Sequence, residues 1–153
     1  MPVYCKIFIL SDLTWKYHLS HINQKVSQAL FSLKQVKHFL PKQCMKTYYS
    51  LIYSHLLYGT LVWENVTQSA LCQTILLQKR AICLINNAKY NSHTDRLFHS
   101  SRILKLADLV EYQAALFAFD INTKKLLISF NDIFTFNRDL PNARVTRQSD
   151  HFM

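Results

Sequence analysis

The chain has 153 residues, a formal net charge of +9 and 50% hydrophobic residues, a composition that predicts one folded domain rather than a disordered chain. Its single glycine, Gly59, excludes the glycine-rich loops of dinucleotide-binding and P-loop proteins, because those loops need several glycines. So few turn residues also disfavour a β-sandwich and favour a helical protein.

The positive charge is concentrated in residues 13–94, which hold nine lysines and arginines and one acidic residue, Glu64. Residues 95–153 are nearly balanced, with eight basic and seven acidic residues. A long stretch with so few carboxylates is typical of a surface that faces a polyanion such as nucleic acid. A solvated basic surface without a partner has the same composition, so charge alone leaves both interpretations open.

The first predicted helix spans residues 15–40, where apolar residues recur at spacings of three and four. This apolar stripe consists of Leu19, Ile22, Val26, Ala29, Leu30, Leu33 and Val36. The opposite side is polar but uncharged, with Ser20, Gln24, Ser27, Gln28 and Gln35. Lysines flank the stripe, so the pattern predicts a helix with one buried face and a basic, acid-free exterior.

A second helix is expected to begin at Pro41, where the missing backbone N–H costs nothing, and to run to about Tyr58. Gly59 follows at the position that commonly ends a helix. Residues 60–63 are β-branched and aromatic, so they fit either a strand or the continuation of a buried helix.

A third helix is predicted from Thr67, a suitable N-cap, to about Asn87. Its apolar residues surround the helix axis, which is typical of a central helix in a bundle. Lys79 and Arg80 interrupt this pattern and are expected to reach solvent along one edge.

A short helix is possible over residues 94–100, and a last helix is predicted over residues 107–126. The residues of this last helix expected to face inward are Leu109, Val110, Ala114, Phe117, Ala118 and Ile121. The sequence therefore predicts a mainly α protein, a small helical bundle of about four helices over residues 15–127. The pattern then breaks down, and residues 128–153 are expected to form an irregular, loosely packed C-terminal tail.

Catalytic and metal-binding patterns are weak. Asp108 and Glu111 lie three residues apart beside Lys105, a spacing that favours surface ion pairing over acid–base chemistry. His18 and His21 have a spacing compatible with a metal, but no third ligand is evident. We therefore predict no catalytic residue, no metal site, no cofactor and no small-molecule substrate.

The cysteines and the apolar segments bear on the compartment. No Cys-x-x-Cys pair is present, and Cys72 and Cys83, three helical turns apart, are expected to be small core residues on one helix face. The longest uncharged stretch, residues 47–63, is too polar for a comfortable membrane span. An intracellular protein outside the membrane is expected, with nucleus and cytoplasm both open.

Four tyrosines lie close to two lysines in the second predicted helix. Aromatic rings beside lysines suit base stacking and phosphate neutralisation. The alternative, which we favour on sequence alone, is that these amphipathic rings pack at the surface of the bundle. The residues are Tyr48, Tyr49, Tyr53 and Tyr58 with Lys42 and Lys46.

Five sequence blocks, in this order, resemble the segment that follows the palm in reverse transcriptases of non-LTR retrotransposons, the jockey-like LINE class. The resemblance covers about residues 6–152. The blocks are DLTWKYHLSHIN (12–23), LPKQCMKTYYSLIYSHLLYGTLVWEN (40–65), LQKRAICLINNAKYNSHTDRLF (77–98), ILKLADLVEYQAALF (103–117) and RVTRQSDHF (144–152).

The resemblance implies that residues 15–127 are a thumb-like bundle and residues 1–14 a disturbed remnant of the end of the palm. A thumb holds an RNA or DNA duplex beside the palm, and its basic helices lie against phosphates without reading bases. The candidate nucleic-acid-binding residues are Lys34, Lys37, Lys42, Lys46, Lys79, Arg80 and Lys89.

The family's catalytic aspartate pair has no counterpart, because no Asp-Asp dipeptide occurs in the chain. We expect no RNA-directed DNA polymerase activity from this chain alone, and its expected partners are a duplex and the missing palm and fingers. Two alternatives remain, a protein-interaction helical bundle and a non-functional relic of a degraded element. Ser54, Glu64 and Cys83, which depart from the family pattern, are what a relic would contain.

Overall fold

The computed structural model describes residues 15–39, 43–63, 66, 68–123 and 125. These residues are mainly helical and include no β-strand, which confirms the predicted fold class. The chain divides into two compact units, Met1–Gln113 and Ala114–Met153. The predictions for residues 1–14, for the tail and for Lys42 lie outside the described residues.

Helix α1, Lys16–Phe39, is the longest element in the described part of the chain. Its predicted stripe is confirmed: Leu19, Ile22, Val26, Ala29 and Leu33 are buried, while Leu30 and Val36 are half-buried. The five polar residues predicted on the opposite side are all exposed. Burial of one apolar face, rather than helix propensity alone, is what stabilises a surface helix of this length.

The second predicted helix is one helical rod built from three segments. Helix α2, Cys44–Tyr48, continues through a π-helical segment, Tyr49–Tyr53, into α3, Ser54–Leu57. The backbone then turns at Gly59, whose φ of 67° is in the left-handed region. The predicted end at this glycine is therefore confirmed.

Residues beyond the turn form the short helix α4, Thr60–Trp63, and not a strand. The Thr60 hydroxyl is buried and donates to the carbonyls of Leu56 at 2.7 Å and Leu57 at 2.8 Å. Its single proton is shared between two carbonyls that are left over where α3 ends.

Helix α5, Gln68–Ile85, is followed by α6, Asp95–Ser101, and α7, Leu106–Asn122. The end of α5 has the hydrogen bonds of a left-handed helix cap, since Asn87 has a φ of 54° and Ala88 N–H donates to Cys83 C=O at 3.0 Å. Helix α6 corresponds to the short helix predicted over residues 94–100, displaced by one residue.

The core of the first unit lies between α1, the helical rod and α5, with α6 and the start of α7 closing one end. The rod begins where α1 ends, and His55 near its other end lies close to His21 and Lys25 in the first half of α1. The rod is therefore antiparallel to α1. The largest fully buried apolar side chains are Tyr48, Leu33, Ile52, Leu56, Ile82, Leu106 and Leu109.

Three details of the prediction were wrong. Cys72 is exposed, like Leu76 and Arg80 on the same helix face, whereas Cys83 near the end of α5 is buried. Lys105 pairs with Asp95 at 2.9 Å rather than with Asp108. Ala118, expected to face inward, is exposed.

Within the described part of the chain, no helix is both long enough and apolar enough to cross a membrane. The described residues of the second unit are the end of α7, Thr123 and Lys125. There the Lys125 ammonium lies 5.2 Å from the centre of the Phe119 ring.

Candidate nucleic-acid interface

Helices α1 and α5 lie side by side and run in the same direction. In their first halves, the buried Thr74 hydroxyl donates to the side-chain oxygen of Asn23 at 2.7 Å. In their second halves, Lys34 and Lys37 line the same depression as Leu84. The first half of α1 contacts the first half of α5, and the second half contacts the second half. The two helices are therefore parallel along the length of α5, about 27 Å.

We call the exposed side of α1 and α5 the acid-free face, because neither helix contains an aspartate or glutamate. Together the two helices carry six cations, Lys16, Lys25, Lys34, Lys37, Lys79 and Arg80. Lys16, Lys34 and Lys37 line the depressions between the two helices, where no carboxylate offsets their charge. Lys25 lies near His55 of the rod, and Lys79 lies near Asp95.

At the start of the acid-free face the two helices form a polar depression of about 510 Å³. Its hydroxyl and amide groups donate and accept hydrogen bonds without adding negative charge. Lys16 stands at its edge. The depression is lined by Lys16, Leu19, Ser20, Asn23, Gln24, Ser27, Ala70 and Gln73.

At the other end of α1 lies a basic depression of about 440 Å³, formed by Lys34, Gln35, Lys37 and His38 with Leu84 of α5. Lys34 and Lys37 are three residues apart on α1, so they occupy neighbouring positions on one side of the helix. Two ammonium groups beside an amide and an imidazole form a surface to which a phosphate can bind.

The two predicted cations of α5 lie away from both of these depressions. Lys79 and Arg80 are exposed and line a pocket of about 320 Å³ with the loop that precedes α6. The Arg80 guanidinium donates to the Tyr90 hydroxyl from Nη2 at 2.6 Å and from Nε at 3.1 Å. Arg80 therefore both contributes a positive charge and binds the Tyr90 hydroxyl.

Two predicted residues lie on other elements. Lys46 is exposed on α2, where its carbonyl accepts a bond from the Ser50 hydroxyl at 2.9 Å. Lys89 is exposed in the loop after α5, next to Tyr90. Of the seven predicted residues, the structure thus groups Lys34 with Lys37, and Lys79 with Arg80.

The tyrosine cluster is divided between core and surface. Tyr48 is fully buried, and this burial raises the pKa of Tyr48 to about 12 against a weaker opposing effect of its bond to Gln78. Tyr49 is 42% exposed and packs edge-on against Tyr48 and Tyr53, with ring centres 5.6 and 5.3 Å apart. Packing at the surface of the bundle therefore describes Tyr49 and Tyr53, whereas Tyr48 lies in the core.

Two histidines, His18 on α1 and His55 on α3, are held toward their neutral form. Burial, and then the charge of His21, lower the pKa of His18 below its usual value. Burial, followed by Lys25 and His21, lowers the pKa of His55 in the same direction. Among the described residues no group of three histidines, cysteines or carboxylates is arranged to hold a metal ion.

Sequence reasoning missed Tyr90, Gln73 and Lys16 as members of these surfaces. Tyr90 follows Lys89 directly, so an aromatic residue next to a cation was the available signal. Gln73 carried no signal, and Lys16 stood out only as one of the lysines that flank the apolar stripe of α1. Their common position arises from the parallel alignment of α1 and α5.

Comparison with known proteins adds no relative. No protein-family model matches the chain, and no curated protein and no solved structure matches it.

Proposed function

We propose that this chain is a thumb-like segment of the non-LTR reverse transcriptase type that binds a nucleic-acid duplex through its phosphates. One observation carries the proposal: α1 and α5 run parallel, and Lys16, Lys34 and Lys37 line the two depressions between them without a carboxylate. The face is about 27 Å long, which corresponds to about eight nucleotides of one strand at about 3.4 Å each.

Binding on such a face is electrostatic and indifferent to base sequence. Lys34 and Lys37 neutralise phosphates of one strand, and each contact releases condensed counterions into solution. The uncharged side chains of the polar depression, such as Gln24 and Gln73, donate hydrogen bonds to phosphate oxygens. These contacts position a duplex without selecting among sequences.

The proposal assigns no catalytic step to the chain. The ordered sequence blocks suggest the part of a polymerase that holds primer and template, and the palm and fingers would come from elsewhere. Phosphoryl transfer by two metal ions needs a pair of carboxylates, and the chain has no Asp-Asp dipeptide to match the family's catalytic turn.

The test is the salt dependence of duplex binding, measured by fluorescence anisotropy with blunt duplexes of two unrelated sequences. If about four to six phosphates are neutralised, log K should fall against log salt with a slope of about −4 to −5. Both sequences should give the same affinity and the same slope, because the contacts do not reach base edges.

Absence of binding at about 50 mM salt, where electrostatic contacts are strong, would contradict the proposal. Self-association that salt does not weaken, seen by sedimentation, would instead favour the protein-interaction bundle. One observation favours that second candidate: the end of α7 exposes Leu116 and Phe119, which lie three residues apart on one side of the helix.

A further inference from the structure

We propose that the pocket formed by α5 and the loop before α6 binds an unpaired nucleotide, whose base stacks on Tyr90 and whose phosphate is bound by Lys79 and Arg80. The inference rests on the proposed function, since it specifies which nucleic-acid structure adjoins the bound duplex. It predicts that the chain prefers a duplex with a single-stranded overhang to a blunt one.

Tyr90 is at once exposed and held in place. Its side chain is 68% exposed, yet its hydroxyl accepts two hydrogen bonds from Arg80, at 2.6 and 3.1 Å. The guanidinium carbon lies 5.2 Å from the ring centre, within the range of a cation–π contact. A ring that is already oriented loses little side-chain entropy when a ligand stacks on it.

The loop that carries Tyr90 is also fixed at both sides. The left-handed Asn87 ends α5, with Ala88 N–H bonded to Cys83 C=O at 3.0 Å. Ser92 N–H donates to Lys89 C=O at 3.0 Å, which closes a tight turn around Tyr90. The Tyr90 ring is therefore carried by a hydrogen-bonded turn.

The lining of the pocket matches the parts of a nucleotide. Leu76, 46% exposed, adds an apolar surface near the Tyr90 ring. Asn91 and Ser92 offer hydrogen-bonding groups for the edge of a base or for a sugar. The pocket measures about 320 Å³, which lies within the range of small-ligand sites.

The one carboxylate in this pocket does not oppose a phosphate strongly. Asp95 binds Lys105 at 2.9 Å, and the hydrogen bond and charge of Lys105 lower the pKa of the Asp95 carboxyl. Lys79 and Arg80 bring two further positive charges to the lining. The local balance is therefore positive, as an anionic ligand requires.

An unpaired nucleotide fits better than a duplex because bases inside a duplex have both faces covered by their neighbours. Single-stranded bases have exposed faces, and they stack on tyrosine and arginine side chains. Bare phosphate would use the two cations but not the exposed ring.

The pocket adjoins the acid-free face. Arg80 lines the pocket, and Leu84, one helical turn further along α5, lines the basic depression of Lys34 and Lys37. Arg80 and Leu84 are about 6 Å apart along the axis of α5, so the pocket and the basic depression are neighbours on this helix.

The experiment compares three ligands built on one duplex of about 12 base pairs, long enough to cover the face. One is blunt, one has a short thymidine overhang, and one has an overhang of equal length made of abasic nucleotides. Each overhang is tested at the 3′ and at the 5′ end. The thymidine overhang should bind about fivefold or more tightly than the abasic one, because only the former has bases to stack.

Two variants of Tyr90 distinguish the contribution of its aromatic ring to binding from that of its hydroxyl. Tyr90→Leu should abolish the preference for thymidine, and Tyr90→Phe should retain most of it. Tyr112→Leu, at a tyrosine that is 49% exposed on α7, is the matched control and should keep the full preference. In a parallel reaction, 5-iodouracil in the overhang should crosslink to Tyr90 on irradiation, as peptide mapping would reveal.

The ligands distinguish the two proposals. Equal affinity for thymidine and abasic overhangs, with blunt duplex still bound, would overturn the Tyr90 site and leave duplex binding intact. Binding of the thymidine overhang that depends on Tyr90, without binding of blunt duplex, would support the site and refute the duplex proposal. Crosslinks confined to tyrosines other than Tyr90 would overturn the site.

Discussion

The buried amide of Gln78 shows how much one polar side chain organises in this core. Its nitrogen donates to the Tyr48 hydroxyl at 3.2 Å and to the Leu104 carbonyl at 3.0 Å. Its oxygen accepts a bond from the Leu106 N–H at 2.9 Å. An amide can donate and accept at once, so Gln78 joins the helical rod, the segment before α7 and the first turn of α7.

Because the Tyr48 hydroxyl in this contact is buried, we predict that the protein loses stability at alkaline pH. Burial raises the pKa of Tyr48 to about 12, whereas an unfolded tyrosine titrates near 10. Between these values the unfolded state loses a proton that the folded state keeps, so stability falls as pH rises through this window, by up to about 3 kcal/mol at its upper end. Urea unfolding from pH 8 to above pH 11 measures the decline.

Tyr48→Phe removes the titrating group. At pH 8 the variant should be less stable than the wild type by about 1 kcal/mol, because the Gln78 bond is lost. Its decline above pH 10 should be shallower. Tyr112→Phe, at an exposed tyrosine, is the control with the wild-type slope. An equally steep decline in Tyr48→Phe would show that other groups cause the instability.

At the scale of elements, left-handed residues set where helices end, and in the described part of the chain these are Gly59, Asn87 and Arg102. Gly59 has a φ of 67° between α3 and α4, and Asn87 has a φ of 54° after α5. Gly59→Ala places a β-carbon where the left-handed conformation costs about 1–2 kcal/mol, so the urea midpoint should fall accordingly. Asn87→Gly relieves the same restriction, and its stability should stay within a few tenths of a kcal/mol or rise.

Equal losses of stability in Gly59→Ala and Asn87→Gly would contradict this account, because only one of the two adds a β-carbon at positive φ. Circular dichroism of both variants checks that the helical content is unchanged.

Helix positions were predictable to within a few residues because they follow from hydrophobic periodicity and from residues such as Gly59. The π-helical segment, Tyr49–Tyr53, was not. It inserts one wider turn into a rod whose sequence reads as an ordinary helix, and such turns arise from how side chains must meet their neighbours. Here Tyr48 must reach Gln78 while Ile52 and Leu56 stay fully buried.

At the scale of the molecule, the position of charges should matter more than their number. Lys34→Ala with Lys37→Ala removes two cations from the acid-free face, and Arg96→Ala with Arg102→Ala removes two from α6 and its cap. Both doubles lower the net charge equally. The first should reduce the magnitude of the salt slope of duplex binding by about two, since each phosphate contact contributes about 0.9.

The second double should change the slope little, because Arg102 lines a depression that also contains Asp95 and Asp108. The measurement is the affinity of each variant for one blunt duplex over a series of salt concentrations. Equal slopes for the two doubles would mean that net charge alone drives binding and that the face has been assigned wrongly.

Local patterns were enough to indicate a helical protein, its buried stripe and its uneven charge, because helix periodicity and composition depend on near neighbours along the chain. The pairing of Lys34 with Leu84, of Asn23 with Thr74 and of Arg80 with Tyr90 came from the folded chain. Such contacts depend on how apolar faces pack against each other. That packing aligned α1 with α5 in parallel and brought Lys16, Lys34 and Lys37 to the depressions between them.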